Sequence, residues 1–157
     1  MATGLPQIYV TGLTDTSTTD LEGVGKLRFE DNKWYKWVKY DEGAGALDIV
    51  AGDVVYYDNA AGSGYVNSIV TADLSDSDEV GAGVVMATVT VTATFMWIQI
   101  KGVATLSTAL TAGADGDALT ATGTTDKTLD IADDDLDAVV GVAIDASAKI
   151  IYCDFPW

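Results

Sequence analysis

Twenty-four aspartates and glutamates and not one histidine define the chemistry open to this chain. Without an imidazole there is no Ser-His-Asp or Cys-His nucleophile, no histidine-based zinc site, and the commonest general acid–base group is missing. Carboxylate pairs by themselves cleave glycosidic bonds. Among so many acidic residues, however, suitable separations arise by chance, and these ones fall in loop-like stretches with no apolar cleft around them. The chain therefore does not read as an enzyme, and no catalytic residue or cofactor is assigned.

Oxygen ligands for a cation are the other option. Asp133, Asp135 and Asp137 repeat the start of an EF-hand loop, but Ala138 stands where its glycine belongs and Ile144 where the closing glutamate belongs. That motif fails. An irregular Ca²⁺ or Mg²⁺ site at Asp130–Asp137, or at Asp73, Asp76, Asp78 and Glu79, stays open beside the simpler reading of solvated acidic turns. Cys153 is the single cysteine, which excludes an intrachain disulfide; its neighbours Ile150, Ile151, Tyr152 and Phe155 mark it as a small core or interface residue. Gly23-Val24-Gly25-Lys26, Gly43-Ala44-Gly45 and Gly81-Ala82-Gly83 lack the spacing of either nucleotide-binding fingerprint and read as turns.

Five of the eight basic residues, Lys26, Arg28, Lys33, Lys36 and Lys39, crowd together beside Trp34, Tyr35, Trp37 and Tyr40. Basic groups among aromatics suit single-stranded nucleic acid, but a formal net charge of −16 opposes it. Contact with an acidic protein surface fits better, and a plain hairpin core explains the aromatics equally well.

The elements that must position these residues are strands. Lys26–Glu30, the turn Asp31-Asn32 and Lys33–Tyr40 form a hairpin; further strands are expected at Asp53–Tyr57, Tyr65–Val70, Val84–Thr92, Thr94–Lys101, Asp117–Thr122, Thr128–Ile131, Ala138–Ile144 and Lys149–Cys153. Both faces of Thr94–Lys101 carry bulky groups, so both are expected to be covered. Only Thr105–Ala112 could pass for a helix. Many short strands and frequent turns predict an all-β protein, a small β-barrel or β-sandwich-like domain.

Residues 1–22, rich in Thr, Gly and Asp with one apolar patch at Ile8-Tyr9-Val10, are expected to be a flexible N-terminal arm, and residues 23–157 a single β domain. A possible duplication, about 45–102 and 113–154, is suggested by an ordered echo. Gly52-Asp53-Val54-Val55 recurs as Gly116-Asp117-Ala118-Leu119, and Val80–Val85 as Val139–Ile144, each copy ending in a strand, Met96–Lys101 or Lys149–Asp154. Recurring turn chemistry explains the same pattern.

At 157 residues the chain is long enough for one sizeable core. A hydrophobic fraction of 48% beside the −16 charge is an unusual pairing, and suggests apolar surface buried between subunits. Nucleic acid and anionic membranes are not expected partners. No stretch approaches the roughly 20 apolar residues of a membrane-spanning helix, and Met1–Val10 lacks the pattern of a secretory signal, so a protein made and assembled inside a cell is expected.

Taken together in order, Gly52-Asp53, Gly83-Val84-Val85, Trp97-Ile98-Gln99-Ile100-Lys101-Gly102, Gly116-Asp117-Ala118-Leu119 and Val140-Gly141-Val142-Ala143 resemble the capsid decoration, or cement, proteins of tailed phages. The resemblance covers roughly residues 45–153 and rests on these motifs as an ordered set. It implies a small β-barrel-like domain, commonly a homotrimer, on the outside of the mature head, bound to the major capsid protein and stiffening the shell against internal DNA pressure. It implies no catalytic residues. On that reading Ile8, Tyr9 and Val10 are expected at the shell, and Lys33, Trp34, Lys36 and Trp37 at the shell or a subunit boundary. The rival reading is a glycan- or receptor-binding module of a phage tail, fibre or cell surface, with Trp34, Trp37 or Trp97 as a sugar platform.

Overall fold

Asp31 and Asn32 both take positive φ, 51° and 61°, which a two-residue hairpin turn with the twist of its strands requires. They join β1 (Leu27–Glu30) to β2 (Lys33–Tyr40) in register from Leu27↔Lys36 to Glu30↔Lys33. The computed structural model describes residues 8–59 and 67–156. The remaining strands are β3 (Val54–Asp58), β4 (Ile69–Thr71), β5 (Ser77–Val85), β6 (Thr94–Thr105), β7 (Ala118–Thr120), β8 (Asp130–Ile131), β9 (Val139–Asp145) and β10 (Ile150–Asp154). Part of the expected strand Tyr65–Val70 lies outside the described residues.

The ten strands among the described residues belong to one sheet, and part of it closes on itself. β2 runs antiparallel to β6 from Trp34↔Lys101 to Tyr40↔Thr94, and its other edge pairs in parallel with β4 at Lys39↔Ile69 and Tyr40↔Val70. β4 continues to β3, β3 to β5 and β5 back to β6, completing a ring. Beyond the ring the second half of β6 carries β10, then β9, β7 and β8. The protein is therefore all-β, with a barrel-like ring and a sheet extension sharing one long strand. Closure removes most of the ring's edges, the usual liability of a sheet.

Tyr40, Tyr56, Met96, Ile98 and Ile100 belong to the same buried cluster as Leu119, Ile151, Cys153 and Phe155, so one core spans ring and extension. Gly102 sits where β6 passes from one to the other, at φ 111°, and a Cβ there would meet Lys33 Cγ at 3.0 Å. Only glycine takes that conformation at low cost.

The turns at Gly52-Asp53 and Gly116-Asp117 are built alike. The carboxylate of Asp53 accepts from Val50 N at 2.9 Å, and that of Asp117 from Ala114 N at 2.7 Å. Gly52 N donates to Val85 O and Val85 N to Asp53 O; Gly116 N donates to Ala143 O and Ala143 N to Asp117 O. In both places the ladder that follows shifts register, opposite Gly83–Gly81 and opposite Gly141–Val139. These bonds match Val85 with Ala143, one residue out of step with the sequence alignment, which set Val85 against Ile144. They match Ile98 with Ile151, as the sequence alignment of the closing strands does.

Two elements differ from expectation. The ladder expected over Val84–Thr92 begins at Ser77 and ends at Val85; beyond it only the bridge Ile49↔Val89 forms. Val85, Ala87 and Val89 are nevertheless buried, because alternation reports burial and not pairing. Thr105–Ala112 forms no helix: it leaves the end of β6 as irregular chain, buries Leu106 and ties Thr111 N to Leu129 O at 2.9 Å.

Candidate interaction surface

Of the arm expected over residues 1–22, residues 1–7 lie outside the described residues, and residues 8–22 lie along the outside of the chain's own ring on a small aromatic core of Tyr35, Trp37 and Trp97. The ring of Tyr9 meets Trp97 edge-on at 5.7 Å, and its hydroxyl donates to Leu27 O at 3.0 Å. Arg28 lies over Tyr9 at 4.8 Å and donates to Thr11 O at 2.8 Å; Thr11 Oγ1 accepts from Trp97 Nε1 at 2.9 Å. Asp20 accepts from Trp37 Nε1 at 2.9 Å, and Ser17 bridges to Phe95. This segment covers the second face of β6 at Phe95 and Trp97.

Glu22 organises the arm. Its enclosed carboxylate accepts from Val10 N, Thr11 N and Thr11 Oγ1 and pairs with Lys26 at 2.9 Å. Burial raises the pKa of this carboxyl, but hydrogen bonds from Lys26, Thr11 and Val10 outweigh it and hold the group below its ordinary range.

The expected contact residues therefore separate. Ile8 and Val10 are 76% and 71% exposed and flank the half-buried Tyr9. Trp34 is 39% exposed, 5.2 Å from the exposed ring of Phe29, and Lys33 is half-buried beside it. Lys36 and Trp37, grouped with these in the sequence, lie in the chain's own interior instead. Trp37 and Trp97 are covered by the arm, so neither offers a sugar a face. Lys36 shares the inward face of β2 with Val38 and Tyr40, a parity visible in the alternation of the strand. Its ammonium donates to Tyr57 Oη at 2.9 Å, and Tyr57 in turn donates to Pro156 O at 3.0 Å. Among the described residues no carboxylate pairs with Lys36, and burial lowers its pKa.

The acidic clusters hold turns. Asp73 accepts from Gly45 N and Ser75, and Asp76 from Ala44 N; Asp134 and Asp137 bond backbone amides of their own turn. Among the described residues no group of three Asp, Glu or Cys is placed to hold a metal ion. Cys153 is buried, donates to Gly102 O at 3.2 Å, and burial pushes its thiol up to about 12.

A surface not singled out in the sequence lies across the extension. Val103, Tyr152, Val142 and Ala118 are direct partners on four neighbouring strands, β6, β10, β9 and β7. Paired residues share a face, so they form one row, with Val103, Tyr152, Val142 and nearby Ile144 exposed. Along β6 and β10 the next outward pair is Lys101 and Asp154, an ion pair of 2.9 Å. The available signal was Val139–Ile144, apolar at both parities, in a strand that ends with one face uncovered.

Fold and surface together define an all-β protein that presents an apolar sheet face and a docked arm. Comparison of the chain with protein-family models, curated proteins and solved structures returns no match.

Proposed function

We propose that this chain is a virion structural protein, a capsid decoration protein that binds the outer surface of the mature head and stabilises it against internal DNA pressure. The supporting observation is the row Val103–Tyr152–Val142 with Ile144, a contiguous apolar strip on a chain of net charge −16. Such strips on strongly charged proteins are characteristic of protein contacts. In this reading the partners are the major capsid protein and further copies of the chain, as a homotrimer, and many weak contacts per particle sum to firm attachment. The ordered motifs described in the sequence support the same reading.

Mass spectrometry of the source lysate across a density gradient tests it. Enrichment with DNA-filled heads, at a copy number comparable to the major shell protein, is expected. Recovery only in soluble fractions overturns the proposal.

One observation favours the second reading, a glycan- or receptor-binding module. Phe29 and Trp34 form an exposed aromatic pair, and aromatic faces with apolar bodies are suited to stacking on sugars. Saturable binding on a glycan array that Trp34→Ala abolishes would select this reading.

A further inference from the structure

Where β6 passes from ring to extension, the strand beside it changes. β5 pairs with β6 only at Val84↔Gln99 and Val85↔Ile98, and from Lys101 onward β10 takes its place. The earlier part of β5, Ser77–Gly83, pairs with β3 on one edge; among the described residues no strand pairs with its other edge there. The wedge between the diverging strands is a groove of about 600 Å³. Glu79, Val80 and Gly81 line one side, Leu136 and Val139 the other, with Phe155 between. The ring of Phe155 lies so close under Gly81 that a Cβ there would meet it at 2.9 Å. Leu136 is 92% exposed and Val139 57%.

Charge is distributed on one side of zero around this opening. Asp78, Glu79 and Asp154 line it, and no lysine or arginine does. Asp154 is paired with Lys101, whereas among the described residues neither Asp78 nor Glu79 has a cationic partner.

We infer that this groove docks an extended segment of a partner protein in which a valine- or leucine-sized residue is flanked by lysine or arginine. Along Asp78–Val80, the part of this stretch that is not buried, the unpaired edge of β5 supplies main-chain hydrogen bonds to the segment, a recurring way in which an open edge recognises a peptide. The apolar side chain enters between Leu136, Val139 and Phe155, and the basic neighbours answer Asp78 and Glu79. The inference goes beyond the capsid reading and does not rest on it, since it concerns the chemistry of the segment and not the particle that carries it.

The test uses the full chain and three fluorescent peptides, TKVLVRT, TEVLVET and TKPLPRT, followed by anisotropy. Saturable binding of TKVLVRT is expected, at least about tenfold tighter than either comparison peptide: acidic flanks meet like charge, and prolines cannot add to a strand edge. Leu136→Ser, a neutral change at an exposed position, is expected to weaken TKVLVRT about tenfold without changing the thermal melt. The double variant Asp78→Lys, Glu79→Lys is expected to reverse the preference toward TEVLVET. Absence of saturable binding, equal binding of the three peptides, or binding indifferent to these variants overturns the inference. So does self-association of the chain that Leu136→Ser abolishes while no peptide binds, because the groove would then receive a second copy.

Discussion

Glu22 and Lys36 are both enclosed ionic groups, and their surroundings push stability in opposite directions. Glu22 gathers four donors, so its charged form is the stabilised one. Because its pKa is lowered on folding, that stabilisation is complete above the ordinary glutamate pKa of about 4.3 and is lost as pH falls through the folded value. Acid titration followed by tryptophan fluorescence is expected to show the arm leaving Trp37 and Trp97 below about pH 4. Glu22→Gln is expected to cost about 2 kcal/mol in denaturant melts at neutral pH and to flatten that acid transition. Among the described residues Lys36 donates to Tyr57 and pairs with no carboxylate. Lys36→Met is expected to raise stability by about 1 kcal/mol at pH 7. Folding lowers the lysine pKa, so the unfolded chain holds the extra proton in the alkaline range and wild-type stability rises with pH there. The advantage of the variant therefore shrinks as pH approaches about 10.4, which paired melts across that range check.

At the scale of elements, the Gly-Asp turns permit a controlled comparison. Gly52 and Gly116 have φ of 95° and 91° and equivalent hydrogen bonds. A Cβ on Gly52 would meet Ser107 N at 2.8 Å, whereas one on Gly116 has nothing within 4 Å. Gly116→Ala is expected to cost about 1 kcal/mol from conformation alone, and Gly52→Ala about 1–3 kcal/mol more because backbone must move; denaturant melts of the two variants check the ordering. Strand positions were legible in the sequence because β-branched and aromatic runs bounded by Gly and Asp mark them locally: β2 occupies Lys33–Tyr40 in both. The arm's placement was not legible. Its anchors are Trp37, Phe95 and Trp97, distant in sequence, and the bonds that matter come from Asp20 and Glu22, which look like any other acidic loop residues. The apolar row was hidden for a related reason: Val103, Tyr152 and Val142 become neighbours only once the register of three strands is known.

For the whole molecule, the apolar row and the proposed attachment make a joint prediction. Tyr152→Asp places a charge in the middle of the row while leaving the buried face of β10 intact. It is expected to reduce occupancy on purified heads by at least about tenfold with the melting temperature nearly unchanged, read by quantitative mass spectrometry of banded particles. Unchanged occupancy would remove the row from the contact surface.

Ring closure also has a kinetic side. β2 and β6 meet through pairs as remote in sequence as Trp34 and Lys101, so the ring cannot close until the intervening strands are synthesised and gathered, and folding falls in the slow class of non-local β proteins. During that interval β2, β5 and β6 expose open edges that invite pairing with other nascent chains. A net charge of −16 acts on that period as well as on the finished molecule, since mutual repulsion between unfolded copies keeps them apart while each completes its own ring. The same charge that keeps finished copies apart therefore also opposes edge-to-edge pairing of unfinished ones.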